Sequence, residues 1–266
     1  MVVHDTTYPR VSIITVCFNS EGTIRDTLNS VQSQHYPNIE HVIVDGGSSD
    51  GTMSIVAEYR ESLGPVVSEP DKGLYDAMNK GIGLATGAVI GILNSDDFFE
   101  DSEVVGTVVK AFEEDSSIDV AFGDVVFVTP PDLQTITRFY PAGHFRPWKL
   151  RFGWMPPHPA TFVRRSVYEK FGGYRLDMKI SADFEMFVRW MVKHNLTYRW
   201  IDKVIVRMRA GGVSTAGPRS SLALNKEIVR ACRENGLYTN LAFVLTKIPF
   251  KLLELIRRPS HKKLPG

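Results

Sequence analysis

Apolar and polar positions follow two different periods along this chain. Val11-Ser12-Ile13-Ile14-Thr15-Val16 is a short β-branched run that stops at Asn19-Ser20, the pattern of a buried strand. Behind it, Ile24, Leu28 and Val31 fall at i, i+4 and i+7, one face of a helix that closes at Tyr36-Pro37. The pair recurs three times: a strand over 40–44 stopped by Gly46-Gly47 and a helix over 52–63; a short strand at Val66-Val67 and a helix over 74–85; a strand over 89–93 and a helix over 104–112. Four alternations predict an α/β fold, a mostly parallel sheet flanked by helices on both faces. Right-handed crossovers then bring the C-terminal ends of these strands to one edge.

After Asp119 the rhythm changes. Residues 120–128 and 135–140 read as strands around the Pro130-Pro131 turn, with no helix between them. Residues 141–159 form a loop rich in Pro, Gly and aromatics, including Trp148, Phe152 and Trp154. A strand at 160–163, a helix over 183–194 and one or two strands within 198–208 follow, and from Pro218 the pattern is helical to about Arg258. Gly81-Ile82-Gly83 lies inside a helical pattern instead of after a strand, so it reads as close helix packing and not as a dinucleotide fingerprint.

Composition narrows the class. At 266 residues, with 43% hydrophobic and 23% charged residues, the chain has enough apolar surface for a soluble core without staples. Cys17 and Cys232 stand far apart, which excludes a disulfide scaffold or zinc finger and fits a reducing compartment. A net charge of +1 gives no global field of the nucleic-acid-binding kind. The start is polar and no long apolar run follows, so neither a secretory signal nor a spanning helix is predicted. The charge is unevenly placed, however: residues 219–266 carry +7 and the remainder −6. An acidic body with a basic tail suggests two tasks in one chain.

The acids concentrate where chemistry is expected. Just past the four strands stand Asn19, Asp45 with Asp50, Glu69 with Asp71, and Asp96 with Asp97. Ligands bind at this edge of open α/β sheets, yet a phosphate cannot approach so many carboxylates unaided. A divalent cation would reconcile the two; the alternative is that these residues cap helices and form turns. Ser181-Ala182-Asp183-Phe184-Glu185 opens a helix, where Ser181 suits the cap and the acids suit the dipole. A carboxylate there also suits a general base for a hydroxyl. On the aromatic loop, Trp154 is a candidate to stack on a sugar ring and His158 to bond a hydroxyl or phosphate.

Taken together, 11–19 (VSIITVCFN), 44–52 (VDGGSSDGT), 68–87 (SEPDKGLYDAMNKGIGLATG) and 93–97 (LNSDD) resemble glycosyltransferase family 2. Residues 158–174 (HPATFVRRSVYEKFGGY) and 181–190 (SADFEMFVRW) extend the resemblance into an acceptor half. It is nearest to the bacterial enzymes of exopolysaccharide, capsule or O-antigen repeat units. The resemblance implies a GT-A fold, a nucleotide-diphosphate sugar donor, Mg²⁺ or Mn²⁺, and inversion at the anomeric carbon. It further implies that Thr15, Val16, Asn19, Asp45, Asp71, Lys72, Asn94, Ser95 and Asp96 hold the nucleotide sugar and that Asp96 and Asp97 hold the metal. Asp183 is then the base, with Glu185 as its rival, and Trp154, His158 and Glu185 face the acceptor. The chain departs from the pattern at Gly46, Asn94 and Ala182, where the family carries acids.

The implied organisation is a catalytic domain over 9–217, split into a nucleotide-sugar half (9–97) and an acceptor half (98–217), followed by a basic amphipathic helical tail over 218–266. In a helix, Lys247, Lys251, Glu254 and Arg258 form one polar stripe beside a broad apolar face. Such a helix suits an anionic membrane surface, and with it a lipid-linked saccharide acceptor at the inner face of the cytoplasmic membrane. The same face equally suits packing on the catalytic domain or on a second copy of the chain. A nucleotidyltransferase or a catalytically silent sugar-binding module are the competing readings of the acidic edge.

Overall fold

A computed structural model describes residues 8–210 and 218–247. The first half follows the predicted alternation: β1 (Val11–Cys17), α1 (Ile24–Gln32), β2 (Ile39–Asp45), α2 (Thr52–Glu58), β3 (Val66–Ser68), α3 (Leu74–Leu84) and β4 (Val89–Ile92). β1 is central, paired in parallel with β2 on one side and β4 on the other, and β2 pairs in parallel with β3. All seven β1 residues are buried, because helices cover both faces of a strand that has neighbours on both edges. Gly81 of α3 sits so close to Ile14 that a Cβ there would fall 2.4 Å from its side chain. Gly81 is thus a packing feature, as its helical setting predicts, whereas a Cβ at Gly83 would meet open space.

Parallel pairing is confined to this half and to one later pair. The chain continues through β5 (Phe98–Phe99), α4 (Val104–Glu114), β6 (Val120–Thr129), β7 (Asp132–Tyr140), β8 (Thr161–Arg164), α5 (Arg165–Phe171), α6 (Ala182–Val188) and β9 (Tyr198–Arg209). β8 inserts antiparallel between β4 and β6, β7 hangs antiparallel on β6, and β5 pairs antiparallel with β9, while β6 and β9 run parallel. One mixed sheet results, in the order β3-β2-β1-β4-β8-β6-β9-β5. The short hairpin turn between β6 and β7 permits only antiparallel pairing, which is why the sheet changes character there. The helix predicted over 183–194 is α6 with a π-helical continuation through Lys193. The two-residue β5 and the short α5 were too brief for periodicity to reveal.

The tail begins as α7 (Pro218–Glu234) and α8 (Leu241–Leu245). Its predicted single helix breaks at Gly236, whose φ of 79° is the left-handed conformation that terminates helices. Asn240 then caps α8, its side chain accepting from the Phe243 amide. Ile228, Ala231, Cys232, Leu237 and Val244 are buried in the same cluster as Phe184, Phe187 and Trp190. The described part of the tail therefore shares the core of the acceptor half. Lys247, expected on a polar stripe, is buried, and the rest of that stripe lies outside the described residues. No helix among the described residues is long and apolar enough to cross a membrane.

Candidate active site

The loops after β1, β2, β3 and β4 share one edge, and most of their polar residues are spent on holding one another. Asp45 is fully buried; its carboxylate accepts from the Gly47 and Ser48 amides and from the hydroxyls of Ser48 and Ser68. Burial opposes its charge, yet the Ser48 and Ser68 bonds prevail and hold its pKa below the usual carboxylate value. Asn19, in the left-handed region at φ 48°, accepts from the Ser49 amide while its own amide donates to Ser48 Oγ. Asp50, two residues before α2, accepts from the Thr52 amide and hydroxyl and from the Glu21 amide. Ser95 is buried against the Ser20 hydroxyl at 2.8 Å.

These contacts correct several assignments. Thr15 and Val16 are buried in the sheet, and the Thr15 hydroxyl is 2.9 Å from His41 Nε2, so neither side chain reaches a nucleotide. Burial lowers the His41 pKa to about 3, which leaves a neutral ring as a core partner. Asp45, Asn19 and Ser95 build the loops instead of presenting free oxygens to a ligand. Open at this edge, besides the exposed but hydrogen-bonded Asn19 and Asp50, are the 62%-exposed ring of Phe18, the exposed Glu69, the half-buried Asp71 and the exposed Lys72. Phe18 and Asp71 both crowd Gly46: a Cβ at that position would lie 2.5 Å from Asp71 Oδ2 and 3.4 Å from Phe18. The departure to glycine thus makes room for the Asp71 carboxylate. Phe18 escaped the sequence reading, although an aromatic just beyond a strand end was there to be noticed.

The two acids after β4 separate. Asp97 is buried, accepts from Asn94 Nδ2 at 3.1 Å, and is pushed up to about 8 by burial and then by the charge of Asp96. Its backbone oxygen is taken by the Thr27 hydroxyl. Asp97 is therefore corrected from metal ligand to internal support. Asp96 stays partly exposed, and Arg209 fixes its backbone by donating to the Asp96 carbonyl at 2.6 Å. Beside it, Asn94 Oδ1 is buried with no hydrogen-bond partner. A partly exposed carboxylate next to an orphaned amide oxygen is a hard-oxygen donor pair of the sort that holds Mg²⁺ or Mn²⁺ together with substrate phosphates. The residues fit that ion, although no group of three acidic, histidine or cysteine ligands occurs among the described residues.

Asp183 is brought to the same side of the molecule by α3. Its Oδ1 accepts from the Phe184 amide at 2.8 Å and lies 3.1 Å from the hydroxyl of Tyr75, in the first turn of α3. Tyr75 also lies 2.8 Å from the Ile180 carbonyl and stacks on Tyr174. One turn further along α3, the Asn79 amide group clasps the Tyr174 backbone with two 2.8 Å bonds. Oδ2 of the half-buried Asp183 carries no hydrogen bond from another described residue. Tyr75 and Asn79 were legible only as members of a motif; their i, i+4 spacing, which puts two hydrogen-bonding side chains on one face of the helix, was the signal.

His158 and Glu185 do not face an acceptor. His158 is buried with Nε2 2.6 Å from the Tyr174 hydroxyl, and burial lowers its pKa against the opposing charge of Asp183. It stands behind the base as part of an aromatic wall. Glu185 is buried, ion-paired to Arg189 at 3.2 Å and bonded by Asn235 Nδ2 at 3.0 Å. Both of its oxygens are engaged, so it is a structural ion pair and not a rival base. Trp154 is half-buried in its loop.

Residues 12–172 match glycosyl transferase family 2. An uncharacterized glycosyltransferase of Mycobacterium tuberculosis (strain ATCC 25618 / H37Rv) is 35% identical over 186 residues, spanning 69% of this chain and 70% of that protein. The structure of S. aureus TarS 1–349 in complex with UDP matches with a TM-score of 0.63 at 20% identity, covering 90% of this chain and 71% of that 1–349 chain. The mannosyltransferase PcManGT from Pyrobaculum calidifontis, in complex with GDP-Man and Mn²⁺, matches at 0.61 and 21% identity over 86% of this chain and 64% of its own. The chain belongs to glycosyl transferase family 2 and has the GT-A fold. It is a glycosyltransferase.

Proposed function

We propose that this chain moves a sugar from a nucleotide-diphosphate sugar to an acceptor hydroxyl in one inverting displacement, with Asp183 as general base. The observation that carries this is Asp183 itself: a carboxylate oriented through one oxygen by Tyr75 and the Phe184 amide, with the other oxygen turned to no described donor. Oδ2 takes the proton from the acceptor hydroxyl as that oxygen bonds to the anomeric carbon. The bond from the anomeric carbon to the diphosphate oxygen breaks in the same step, and the electron pair leaves with the nucleoside diphosphate. No covalent sugar–enzyme intermediate is needed. Asp96 and Asn94 Oδ1 would hold Mg²⁺ or Mn²⁺, which when bound offsets charge on the departing diphosphate. Phe18, Asp71 and Lys72 line the approach to the nucleotide, the aromatic ring offering a face for the base. UDP in the TarS complex and GDP-Man with Mn²⁺ in PcManGT support a nucleotide-sugar donor here. A panel of UDP-, GDP- and dTDP-sugars with Mn²⁺ tests the reading: one donor should release nucleoside diphosphate, and binding without release from any of them would indicate a silent sugar-binding module.

The acceptor we propose is a lipid-linked saccharide at the inner face of the cytoplasmic membrane. Tyr238, Leu241 and Leu245 are exposed in the basic tail after α7, and the exposed Trp148 packs on Phe152, which stacks on Phe243. Aromatic and aliphatic groups beside Lys and Arg suit an anionic interface, where each basic residue near the surface adds about 1 kcal/mol. Full-length protein should sediment with phosphatidylglycerol vesicles in a salt-sensitive manner, and a chain ending at Gly236 should not. A full-length protein that ignores vesicles but forms dimers would replace the membrane by a second copy of the chain.

A further inference from the structure

Four hydrogen bonds from the segment just before the base converge on one side chain of the tail. Glu227, on α7, accepts from the backbone amides of Lys179, Ile180 and Ser181, each at 3.0 Å, and from the Ser181 hydroxyl at 2.9 Å. Three successive amides pointing at one carboxylate fix the backbone of 179–181, the residues that lead into α6. The opposite side of this segment is fixed as well, since Tyr75 lies on both the Ile180 carbonyl and Asp183 Oδ1. A second contact lies further along, where Asn235, just past the end of α7, donates to Glu185 of α6. Burial opposes the Glu227 charge, but the Ile180, Lys179 and Ser181 bonds outweigh it and hold its pKa below the ordinary range. The glutamate is half-buried and touches no residue of the acidic edge, so a ligand contact is not its task.

We propose that Glu227 is a positioning residue for catalysis: by gripping 179–181 it sets the direction in which Asp183 presents its unoccupied oxygen. α7 is then part of the machinery for acceptor activation, while the donor half of the site is independent of it. Small angular errors in a base cost rate and leave remote binding untouched. The inference rests on Asp183 being the base.

The test uses the full-length chain and the sugar nucleotide that the donor panel shows to be turned over. Glu227→Ala should lower kcat roughly 10- to 100-fold and leave donor KM within about twofold, the split that marks an interaction used in the transition state only. Glu227→Gln keeps one accepting oxygen and should recover part of the rate. In an Asp183→Asn background the Glu227→Ala effect should vanish, because a positioning residue has nothing left to position. Wild-type kcat in Glu227→Ala, or equal losses in kcat and donor affinity, overturns the proposal. Should Glu227→Ala fail to fold, Glu227→Gln and Ser181→Ala decide, and unchanged kcat in both rejects it. Undiminished turnover in Asp183→Asn alone would instead reject the base, a result separable from any outcome at Glu227.

Discussion

The loops after β1 and β2 and the segments after β4 and before α6 are equally rich in acids and amides, yet they use them in opposite ways. In the first region the two aspartates are consumed locally: Asp45 takes four donors from its own and the next loop, and Asp50 takes three. In the second, Asp96 stays partly exposed beside an orphaned amide oxygen, and Asp183 keeps one oxygen turned away from all described donors. The difference is one of local donors. Gly47, Ser48 and Thr52 supply amides and hydroxyls within a few residues of the first pair, whereas β4 and α6 leave their acids at most one or two. An acidic edge is therefore two things at once, a self-braced wall and a small number of uncommitted oxygens, and only the latter are suited to chemistry.

That contrast breaks most sharply at Asp183. Asp183→Asn should reduce transfer by about 10² to 10⁴ while nucleotide affinity stays within a few-fold, since a general base acts on the acceptor and not on the donor. Transfer within tenfold of wild type would move Asp183 to the bracing group. Asp96→Ala comes next: it should weaken nucleoside diphosphate binding tenfold or more with Mg²⁺ or Mn²⁺ present and leave binding in excess chelator unchanged. Equal weakening under both conditions would make Asp96 a direct contact or a turn residue.

Much of this was legible in the chain because strand ends, helix starts and charge are local signals. The parallel half and the acidic ligand edge follow from periods and spacing, and the family resemblance singled out Asp96 and Asp183 among the acids and supplied their roles. What could not be read were contacts between residues distant in sequence. Whether an acid at a strand end is free depends on who donates to it, and the Ser68 hydroxyl reaches Asp45 from 23 residues away. Thr15 is lost to His41 across 26 residues, and Glu227 reaches Ser181 across 46. Asp97 and Glu185 looked as available as their neighbours until packing closed over them. The mixed character of the sheet escaped for a related reason, because a strand shows its period and not its partner.

The smallest expected effect lies with Asp45 and is read in stability. Its folded pKa is depressed, so its ionised form contributes stability that is fully present above the unfolded carboxylate value of about 3.9 and is lost as pH falls through the lower folded value. Asp45→Asn keeps the shape but replaces one accepting oxygen by a donor that faces the Gly47 and Ser48 amides or the serine hydroxyls. A loss of about 2–3 kcal/mol at neutral pH follows, the scale of hydrogen bonds to a charged group. Below pH 4 the gap between wild type and variant should narrow, because the unfolded wild-type chain takes up a proton at this carboxylate that the folded state, with its lower pKa, does not. Urea unfolding at pH 7 and at pH 3 measures both quantities. Turnover per folded molecule should stay near wild type, in contrast to Asp183→Asn. A neutral-pH stability unchanged by the substitution, together with lost nucleotide affinity, would return Asp45 to the binding residues and erase the division between wall and site.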